Sequence, residues 1–363
     1  MNAEILHILQ QPRRRNHAVA MYSLPEAGGF TVIVQDLAEQ KEALSEFWFH
    51  PFGRTEQPFV VLRPDALLEV SSGELESDRA WLQAPDYWPL TGERELPQTT
   101  FEQYRGAILS AQEKFAAGEL EKVILSRVIH APLSSAFHPV FFACRLKKQY
   151  PGAFISYIST PFSGTWIGAS PEVLLRRSGN KISTISLAGT RLGTEDTQWT
   201  EKEYHEQEIV TGYIRNILSG ELFSGLEIEG PHEKSIGHLV HLQTVFNAFL
   251  RRPAGRDELL SIVRSLHPTP AVGGLPRNKA IDAIRELEKH ARRYYAGFAG
   301  PVGNGEEASL FVNLRCMALS ADTAFLLSGA GITAGSDPEK EWDETTNKAN
   351  ILMNLLRAET NPG

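Results

Sequence analysis

The chain has 363 residues, of which 42% are hydrophobic and 22% are charged, and its formal net charge is −8 at pH 7. This composition is that of a globular protein with room for one large domain or two ordinary ones. The negative charge argues against nonspecific attraction to nucleic acid or to anionic membranes, although a local basic cluster could still hold a small anionic substrate.

Targeting signals are not evident. No apolar run is long enough to span a bilayer, and "MNAEILHILQQPRRRN" lacks the basic start, apolar core and cleavage site of a signal peptide. Cys144 and Cys316 lie far apart and form no CxxC pair, a pattern typical of a reducing compartment. We therefore expect a cytoplasmic protein that binds neither membrane nor nucleic acid.

The N-terminal part predicts strands in "GGFTVIVQDL" and "PFVVLRPDALLEV". The loop-like "QAPDYWPLTGERELPQTT" that follows is rich in turn-forming residues and marks a boundary. We expect an N-terminal region over 1–95 that packs on the same fold as a catalytic domain over 96–363.

Clearer signals begin at Thr100, which with Gln103 forms a capping-box pattern ahead of a helix that Gly118 would end. The strand "EKVILSRV" follows, with Lys122 at its entrance as either a solvated strand end or a pocket residue. "PGAFISYIST" and "TWIGASPEVLLRR" predict a hairpin, and "KISTISLAGTRLG" predicts a further strand.

The second half alternates helices and strands less regularly. A helix with Thr200 and Glu203 as its capping box should end at Gly220, and a helix-rich segment should continue to about Arg264. "PRNKAIDAIRELEKHARRYYAG" predicts a helix, "GFAGPVG", "ASLFVNLRCMAL" and "TAFLLSGAGITAG" predict strands, and a last helix should begin near Pro338. This order predicts an α+β fold with large, mainly antiparallel sheets flanked by helices.

Two helices carry carboxylates in line with their apolar faces. Glu203 and Glu206 align with the stripe of the first helix, and Glu341 and Glu344 align with that of the last. Each pair alone is explained by the helix dipole or by an exposed i,i+4 pair between Glu344 and Lys348. Together they predict a carboxylate cage that needs a counter-ion, and oxygen ligands without Cys or His suit a hard cation such as Mg²⁺.

Glycine turns and one buried arginine suggest an anion site. "SLAGTRLG" and "SGAGITAG" could offer backbone N–H groups. Arg315 interrupts an apolar strand, so it needs a ligand carboxylate or an internal Glu partner, and the sequence favours neither. His267 in "HPTPAVGG" could face a site, whereas three further histidines show no zinc spacing and are interpreted as structural: His205, His238 and His241.

These segments, in this order, resemble the chorismate-utilising enzymes, which include anthranilate, aminodeoxychorismate, isochorismate and salicylate synthases. The resemblance covers roughly Phe101 to Leu356, and the N-terminal third is matched only by position. The matching segments are "EKVILSR", "IGASPEVLL", "LAGTR", "KEYHE", "HPTPAVGGLP", "YAGFAG", "LRCMAL", "GAGI" and "EWDETTNKA".

The resemblance implies a two-layered fold with a Mg²⁺ site between large sheets. It implies that Glu206 and Glu344 hold the metal, with Glu203 and Glu341 in support, and that the metal grips a carboxylate of chorismate. By the same analogy, the residues that bind the chorismate carboxylates are Arg315, Lys348, Tyr295, Gly329, Ala330 and Gly331. Those that line the ring site are Ala188, Gly189, Thr190 and His267.

Within the family, the pair Lys122 and Glu172 resembles the water-adding branch. Ammonia-using members typically have glutamine in place of Lys122, and the aminodeoxychorismate branch has a lysine nucleophile where Ala188 stands. Gln207 departs from the family pattern, which usually has histidine after the metal glutamate.

The resemblance is closest to isochorismate synthases, in which water attacks C2 of chorismate and the C4 hydroxyl leaves. Glu172 would then be the general acid and Lys122 the general base, on opposite faces of the ring. A salicylate synthase, an ammonia-using synthase and a non-catalytic chorismate-binding protein remain as alternatives. We expect no glutaminase partner, and the product would feed menaquinone or siderophore synthesis.

Overall fold

A computed structural model describes residues 2–38, 45–53, 57–77, 85–92, 95–192, 199–236, 239–304 and 306–360. The described chain folds into two antiparallel sheets with helices packed on them. None of the described helices is long and apolar enough to cross a membrane. The helices are α1 (Asn2–Gln10), α2 (Ser72–Ser77), α3 (Phe101–Ala116), α4 (Pro139–Gln149), α5 (Glu201–Leu218), α6 (Arg256–Leu266), α7 (Arg277–Leu287) and α8 (Pro338–Thr360).

The strands are numbered along the chain and form sheets of nine and eight strands. In spatial order, the nine-stranded sheet contains β13 (Gly274–Leu275), β6 (Lys122–Pro132), β17 (Thr323–Ile332), β16 (Cys316–Leu319), β8 (Gly164–Ser170), β7 (Phe154–Thr160), β1 (His17–Ser23), β2 (Gly29–Asp36) and β5 (Ala66–Ser71). The eight-stranded sheet contains β11 (Phe223–Ile236), β12 (Leu239–Leu250), β10 (Lys181–Leu192), β9 (Val173–Ser178), β15 (Glu307–Val312), β14 (Phe298–Gly303), β3 (Ser45–His50) and β4 (Val60–Leu62).

Alternation along the strands builds a core on both faces of the nine-stranded sheet. In β7, Phe154 and Ile158 belong to a cluster that joins both sheets with α3, α5, α6 and α7. Ile155 and Tyr157 point the other way, into a second cluster with α1, α2, α4 and α8. The period of two in side-chain direction therefore lets one strand serve two hydrophobic layers.

The predicted α+β architecture with antiparallel sheets is confirmed. The N-terminal strands β1, β2 and β5 extend the nine-stranded sheet, and β3 and β4 extend the eight-stranded one. The first third of the chain therefore adds strands to the sheets of the later residues. The boundary between 1–95 and 96–363 stays a prediction.

The predicted helix-rich middle is wrong, because β11 and β12 form a long hairpin between α5 and α6. The signal for a strand was present in β12, where Leu242, Thr244, Phe246, Ala248 and Leu250 are all buried at alternate positions. This period of two was missed because the hairpin lies between two helices, α5 and α6, and the helical interpretation was continued across it. A strand pattern and a helix pattern share apolar residues, so short segments are easily assigned to the wrong one.

Two other predicted elements are shorter than expected. The helix that begins at Arg277 ends at Leu287, so "EKHARRYYAG" lies outside it. "ASLFVNLRCMAL" forms two strands rather than one, and Arg315 lies between them with a φ of 47°. Arg315 is therefore part of a corner and does not interrupt a strand.

That corner is a place where the chain passes from one sheet to the other, and the connection between β8 and β9 is another. Glu172 lies between β8 and β9, and Arg315 lies between β15 and β16. The Val312 N–H donates to the Glu172 carbonyl at 3.0 Å, and the Ala169 N–H donates to the Arg315 carbonyl at 3.0 Å. These two bonds hold the crossover corners together, so Glu172 and Arg315 come to the same gap between the sheets.

Candidate active site

One pocket, with a volume of about 140 Å³, is lined by both sheets and by helices α5 and α8. It gathers twelve of the residues predicted from the sequence. They are Lys122, Glu172, Gly189, Glu203, Glu206, Tyr295, Arg315, Gly329, Gly331, Glu341, Glu344 and Lys348.

Lys122 lies at the first position of β6 and is only 2% exposed. Its Nζ donates to Oε2 of Glu206 at 3.0 Å, which joins the nine-stranded sheet to helix α5. Gly331 on the neighbouring strand leaves the space for this pair, since a Cβ there would lie 3.2 Å from Cε of Lys122. Lys122 is therefore a pocket residue and not a solvated strand end.

The backbone of Lys122 is held by a short added strand. Leu275 and Gly274 of β13 pair with Lys122 and Val123. Gly274 has a φ of 130°, and a Cβ there would lie 2.2 Å from the Lys122 carbonyl oxygen. Only glycine allows this close approach, so the loop "HPTPAVGG" borders the start of β6.

Glu172 is buried, and burial raises the pKa of its carboxyl to about 7, against the opposing effect of Arg315 and Lys348. Among the described residues, its carboxyl oxygens make no hydrogen bond, and the side chain faces the pocket. A carboxyl of this kind keeps its proton near neutral pH and can donate it.

Arg315 is half-buried and forms no ion pair within the part of the chain that the structure describes. Burial lowers the pKa of its guanidinium, while Tyr295, Glu344 and Glu172 act in the opposite direction. Arginine stays charged despite such a shift. Within the described ranges the internal Arg–Glu pair that the sequence allowed is not formed, so the fork of Arg315 can bind a ligand carboxylate.

Helix α5 begins with the predicted capping box. The backbone N–H of Thr200 donates to Oε2 of Glu203 at 2.8 Å. Glu203 therefore has a structural role at the helix start while it also lines the pocket. One turn later, Glu206 faces the pocket with a side chain that is 14% exposed.

Gln207 anchors α5 from behind. Its Nε2 donates to Oγ of Ser186 at 2.8 Å and to Oγ1 of Thr244 at 2.9 Å, and the side chain is buried. These hydroxyls belong to β10 and β12 of the eight-stranded sheet. The departure from the family pattern thus keeps a polar anchor at this position and leaves Glu206 directed into the pocket.

Helix α8 brings the second set of carboxylates. Lys348 Nζ donates to Oε1 of Glu344 at 2.5 Å and to the Gly329 carbonyl at 3.0 Å. Its side chain is 13% exposed, so the pair expected on the helix surface lies at the pocket instead. Glu341 is buried beside it.

The metal prediction can be tested against this donor set. No group of three or more Asp, Glu, His or Cys side chains in the described residues is close enough to form a metal centre. Besides Glu172, the pocket is lined by four carboxylates, two from α5 and two from α8. That chemistry fits a hard cation whose coordination is completed by water or substrate oxygens.

Three predicted small residues, Gly329, Ala330 and Gly189, lie on β17 and β10. Gly329 lies under the Tyr295 hydroxyl, which would be 2.9 Å from a Cβ at that position, and Ala330 is buried in β17. Gly189 has a φ of 68° and lines the pocket. The side chains of Ala188 and Thr190 lie outside the described residues.

His267 is not among the pocket-lining residues. It is buried behind the pocket wall, where its Nε2 contacts the carbonyl oxygen of Ala296 at 2.8 Å. Burial lowers the pKa of His267 to about 3, so the ring is neutral. Ala296 is itself a lining residue, so His267 contacts the pocket wall without lining the pocket.

His241 is a pocket residue that sequence reasoning assigned to structure alone. It is 5% exposed, and its Nδ1 contacts the Gly189 carbonyl at 2.9 Å. Burial lowers its pKa to about 4, helped by Arg315. Its position could have been found only by recognising β12 as a strand beside β10, which the helical interpretation prevented.

Comparison with known proteins identifies the family. A sequence model of the family described as "Chorismate binding enzyme" matches residues 74–357. The chain belongs to the chorismate-binding enzyme family. The resemblance seen in the motifs is thereby confirmed.

The similar proteins include several isochorismate synthases. Isochorismate synthase EntC of Escherichia coli strain K12 is 33% identical over 273 residues, which cover 71% of this chain and 67% of EntC. Isochorismate synthase MenF of Bacillus subtilis is 30% identical over 266 residues, which cover 70% of this chain and 55% of that protein.

Solved structures share the fold. The menaquinone-specific isochorismate synthase MenF from Escherichia coli has a TM-score of 0.77 at 23% identity, over 97% of this chain and 91% of that one. Anthranilate synthase component I from Streptococcus pneumoniae has a TM-score of 0.67 at 18% identity, over 93% and 92%.

Glu172 should make the stability of the protein depend on pH. Its pKa is about 7 in the fold against a reference value of 4.5, so the folded state binds the extra proton between these values. Its stabilising contribution is complete below pH 4.5 and is lost as the pH rises through 7. We expect Glu172→Gln to have a higher free energy of unfolding than wild type at pH 8. This difference between variant and wild type should be up to about 3 kcal/mol larger at pH 8 than at pH 5.

Urea unfolding at several pH values between these limits measures the difference. Glu227→Gln, at an exposed carboxylate, is the matched control and should show no such trend. Parallel pH profiles for wild type and Glu172→Gln would contradict the raised pKa.

Proposed function

We propose that this chain is an isochorismate synthase, which converts chorismate to isochorismate. Water is added at C2 and the hydroxyl at C4 leaves as water, so the reaction is an isomerisation. The observation that carries the proposal is a single pocket that holds both an amine, Lys122, and a carboxyl of raised pKa, Glu172. The similarity to named isochorismate synthases supports it.

Glu172 is the proposed general acid. Hydroxide is a poor leaving group, so the C4 oxygen needs a proton as its bond to carbon breaks. A pKa of about 7 lets the buried carboxyl of Glu172 hold that proton at neutral pH and release it in the reaction. In the reverse direction the same carboxylate would take the proton back from water.

Lys122 is the proposed general base for the water that attacks C2. This role requires a neutral amine, so Lys122 must release one proton before its Nζ can accept a proton from water. A neutral amine keeps two N–H donors, so its hydrogen bond to Glu206 can remain. The burial of Lys122 supports the role, because few other solvent molecules would compete for that amine.

Arg315, Lys348 and Tyr295 are the proposed carboxylate-binding residues. Arg315 offers a bidentate fork, Lys348 a point charge beside the Gly329 carbonyl, and Tyr295 a hydroxyl near the same glycine. Chorismate carries two carboxylates, and this set provides two cations. The binding energy would hold the ring between Lys122 and Glu172.

Mg²⁺ is the proposed metal, and Glu206 and Glu344 are its proposed ligands, with Glu203 and Glu341 in support. When bound, Mg²⁺ would neutralise a substrate carboxylate and orient the ring. Lys122 and Lys348 already oppose Glu206 and Glu344, which reduces the repulsion among the carboxylates before ligands arrive. Because the reaction uses water and not ammonia, we expect no glutaminase partner.

Product analysis tests the function. Incubation of the protein with chorismate and Mg²⁺ should yield isochorismate as the main product. One similar protein, 32% identical, is named a salicylate biosynthesis isochorismate synthase, so salicylate and pyruvate must be measured as well. Salicylate as the main product would establish the salicylate synthase alternative instead.

The catalytic pair can be tested by substitution. Lys122→Ala and Glu172→Gln should each lower kcat by at least about 100-fold, because each removes one proton-transfer group. Circular dichroism and urea unfolding should show that both variants remain folded. Lys279→Ala, at an exposed lysine of α7, should leave kcat unchanged. A near-normal rate in either pocket variant would refute the assigned role.

The metal ligands can be tested through the Mg²⁺ dependence of the rate. Glu344→Ala should abolish the Mg²⁺-dependent activity, or raise the half-saturating Mg²⁺ concentration by at least about tenfold, because a ligand oxygen is lost. Glu339→Ala, at an exposed position in the first turn of the same helix, is the control. A wild-type Mg²⁺ profile for Glu344→Ala would exclude this residue as a ligand.

A further inference from the structure

Arg127 lies on β6, the strand that begins with Lys122, and contacts the helix that carries Glu344. It is 4% exposed. Its guanidinium carbon lies 3.4 Å from the centroid of the Trp342 ring, which is a close stacked contact.

The edge of the guanidinium is bound by α8 as well. Arg127 Nε donates to Oγ1 of Thr345 at 2.7 Å, and one Nη donates to Oγ1 of Thr346 at 2.5 Å and to the Trp342 carbonyl at 3.3 Å. Both threonine hydroxyls donate their own protons to that carbonyl, at 2.7 and 3.0 Å. Their lone pairs are therefore directed at arginine, which can only donate.

This arrangement is a costly way to pack a helix. Arg127 has no ion-pair partner among the described residues, and burial lowers the pKa of its guanidinium to about 10. Even a buried ion pair can often be replaced by well-packed apolar side chains without loss of stability. Stabilisation of the core therefore does not explain why the charged Arg127 is buried here.

The order of residues along α8 gives a reason for the buried Arg127. Trp342, Thr345 and Thr346 alternate along the helix with the pocket residues Glu341, Glu344 and Lys348. Successive residues of a helix are separated by about 100° around its axis, so any rotation of α8 moves all three pocket side chains together. Apolar packing is non-directional, so it resists such rotation weakly. The planar guanidinium of Arg127 donates to three hydrogen-bond acceptors and stacks on the Trp342 ring, so it resists the rotation strongly.

We propose that Arg127 is a positioning residue that fixes the rotational setting of α8 and so directs Glu341, Glu344 and Lys348 into the pocket. Because it is held by neutral hydroxyls and a ring, it does not neutralise the carboxylates that it positions. The inference rests on the proposed function, in which these side chains bind a divalent cation and chorismate.

Four variants separate positioning from simple stabilisation. Arg127→Met removes the fork and keeps the bulk, Arg127→Lys keeps only the charge, and Thr346→Val removes one acceptor while Arg127 remains. The control is Leu352→Ala, which opens a cavity under α8 in the second core cluster, away from the pocket. Each protein is assayed for stability in urea, for Mn²⁺ binding without substrate by electron paramagnetic resonance, and for kcat and KM at saturating Mg²⁺.

Arg127→Met should bind Mn²⁺ about tenfold more weakly and raise KM for chorismate by a similar factor, as changes behind metal ligands commonly do. We expect kcat at saturation to fall less than threefold, since Lys122 and Glu172 are not on α8. Arg127→Lys and Thr346→Val should show smaller shifts of the same kind. Leu352→Ala should lose stability without a change in Mn²⁺ affinity or KM.

The contrary outcomes are distinct. Unchanged Mn²⁺ affinity and KM in Arg127→Met and Thr346→Val, or equal shifts in Leu352→Ala, would overturn the positioning role while the proposed function stands. If Arg127→Met does not fold, the same comparison between Thr346→Val and Leu352→Ala decides. Wild-type protein that neither binds Mn²⁺ nor forms isochorismate would overturn the proposed function, and this role with it.

Discussion

The pocket depends on one constraint, which is the pair of backbone hydrogen bonds that joins the two crossover corners. Val312 donates to the Glu172 carbonyl, and Ala169 donates to the Arg315 carbonyl. Each bond joins the last part of a strand, β15 or β8, to the corner residue of the other crossover. Buried backbone groups are nearly always paired, and these two bonds bring Glu172 and Arg315 to the same gap between the sheets. The remaining pocket residues are attached to this frame.

Charge compensation is the second organising feature. Two lysines from the nine-stranded sheet and α8 oppose glutamates from α5 and α8, through Lys122–Glu206 and Lys348–Glu344. These contacts let carboxylates accumulate in a confined space, which would otherwise be strongly unfavourable. Glu172 and Arg315 stand apart from these pairs and keep their polar groups directed at the pocket. The proposed reaction needs both kinds of group: glutamates whose charge is opposed by lysine, and the polar groups of Glu172 and Arg315, which are directed at the substrate.

Much of the fold and of the site was predictable from local signals. The capping boxes at Thr100 and Thr200, and the start of α8 at Pro338, were read correctly because caps depend on a few neighbouring residues. The hairpin of β11 and β12 was missed, and with it the place of His241 in the pocket. A strand's neighbours are chosen by long-range pairing, which no local window contains.

What the sequence by itself determined was the family, the chemical types and the spacing: carboxylates in line with helix faces, and Lys122 and Glu172 in ordered motifs. Tertiary structure decided which of several possible partners each group has. Arg315 could have paired internally but has no ion pair with any residue that the structure describes, whereas Glu344 and Lys348 form their pair at the pocket. Local sequence sets what a side chain can bind, but burial and distance set what it does bind, and both arise only when two sheets and two helices meet.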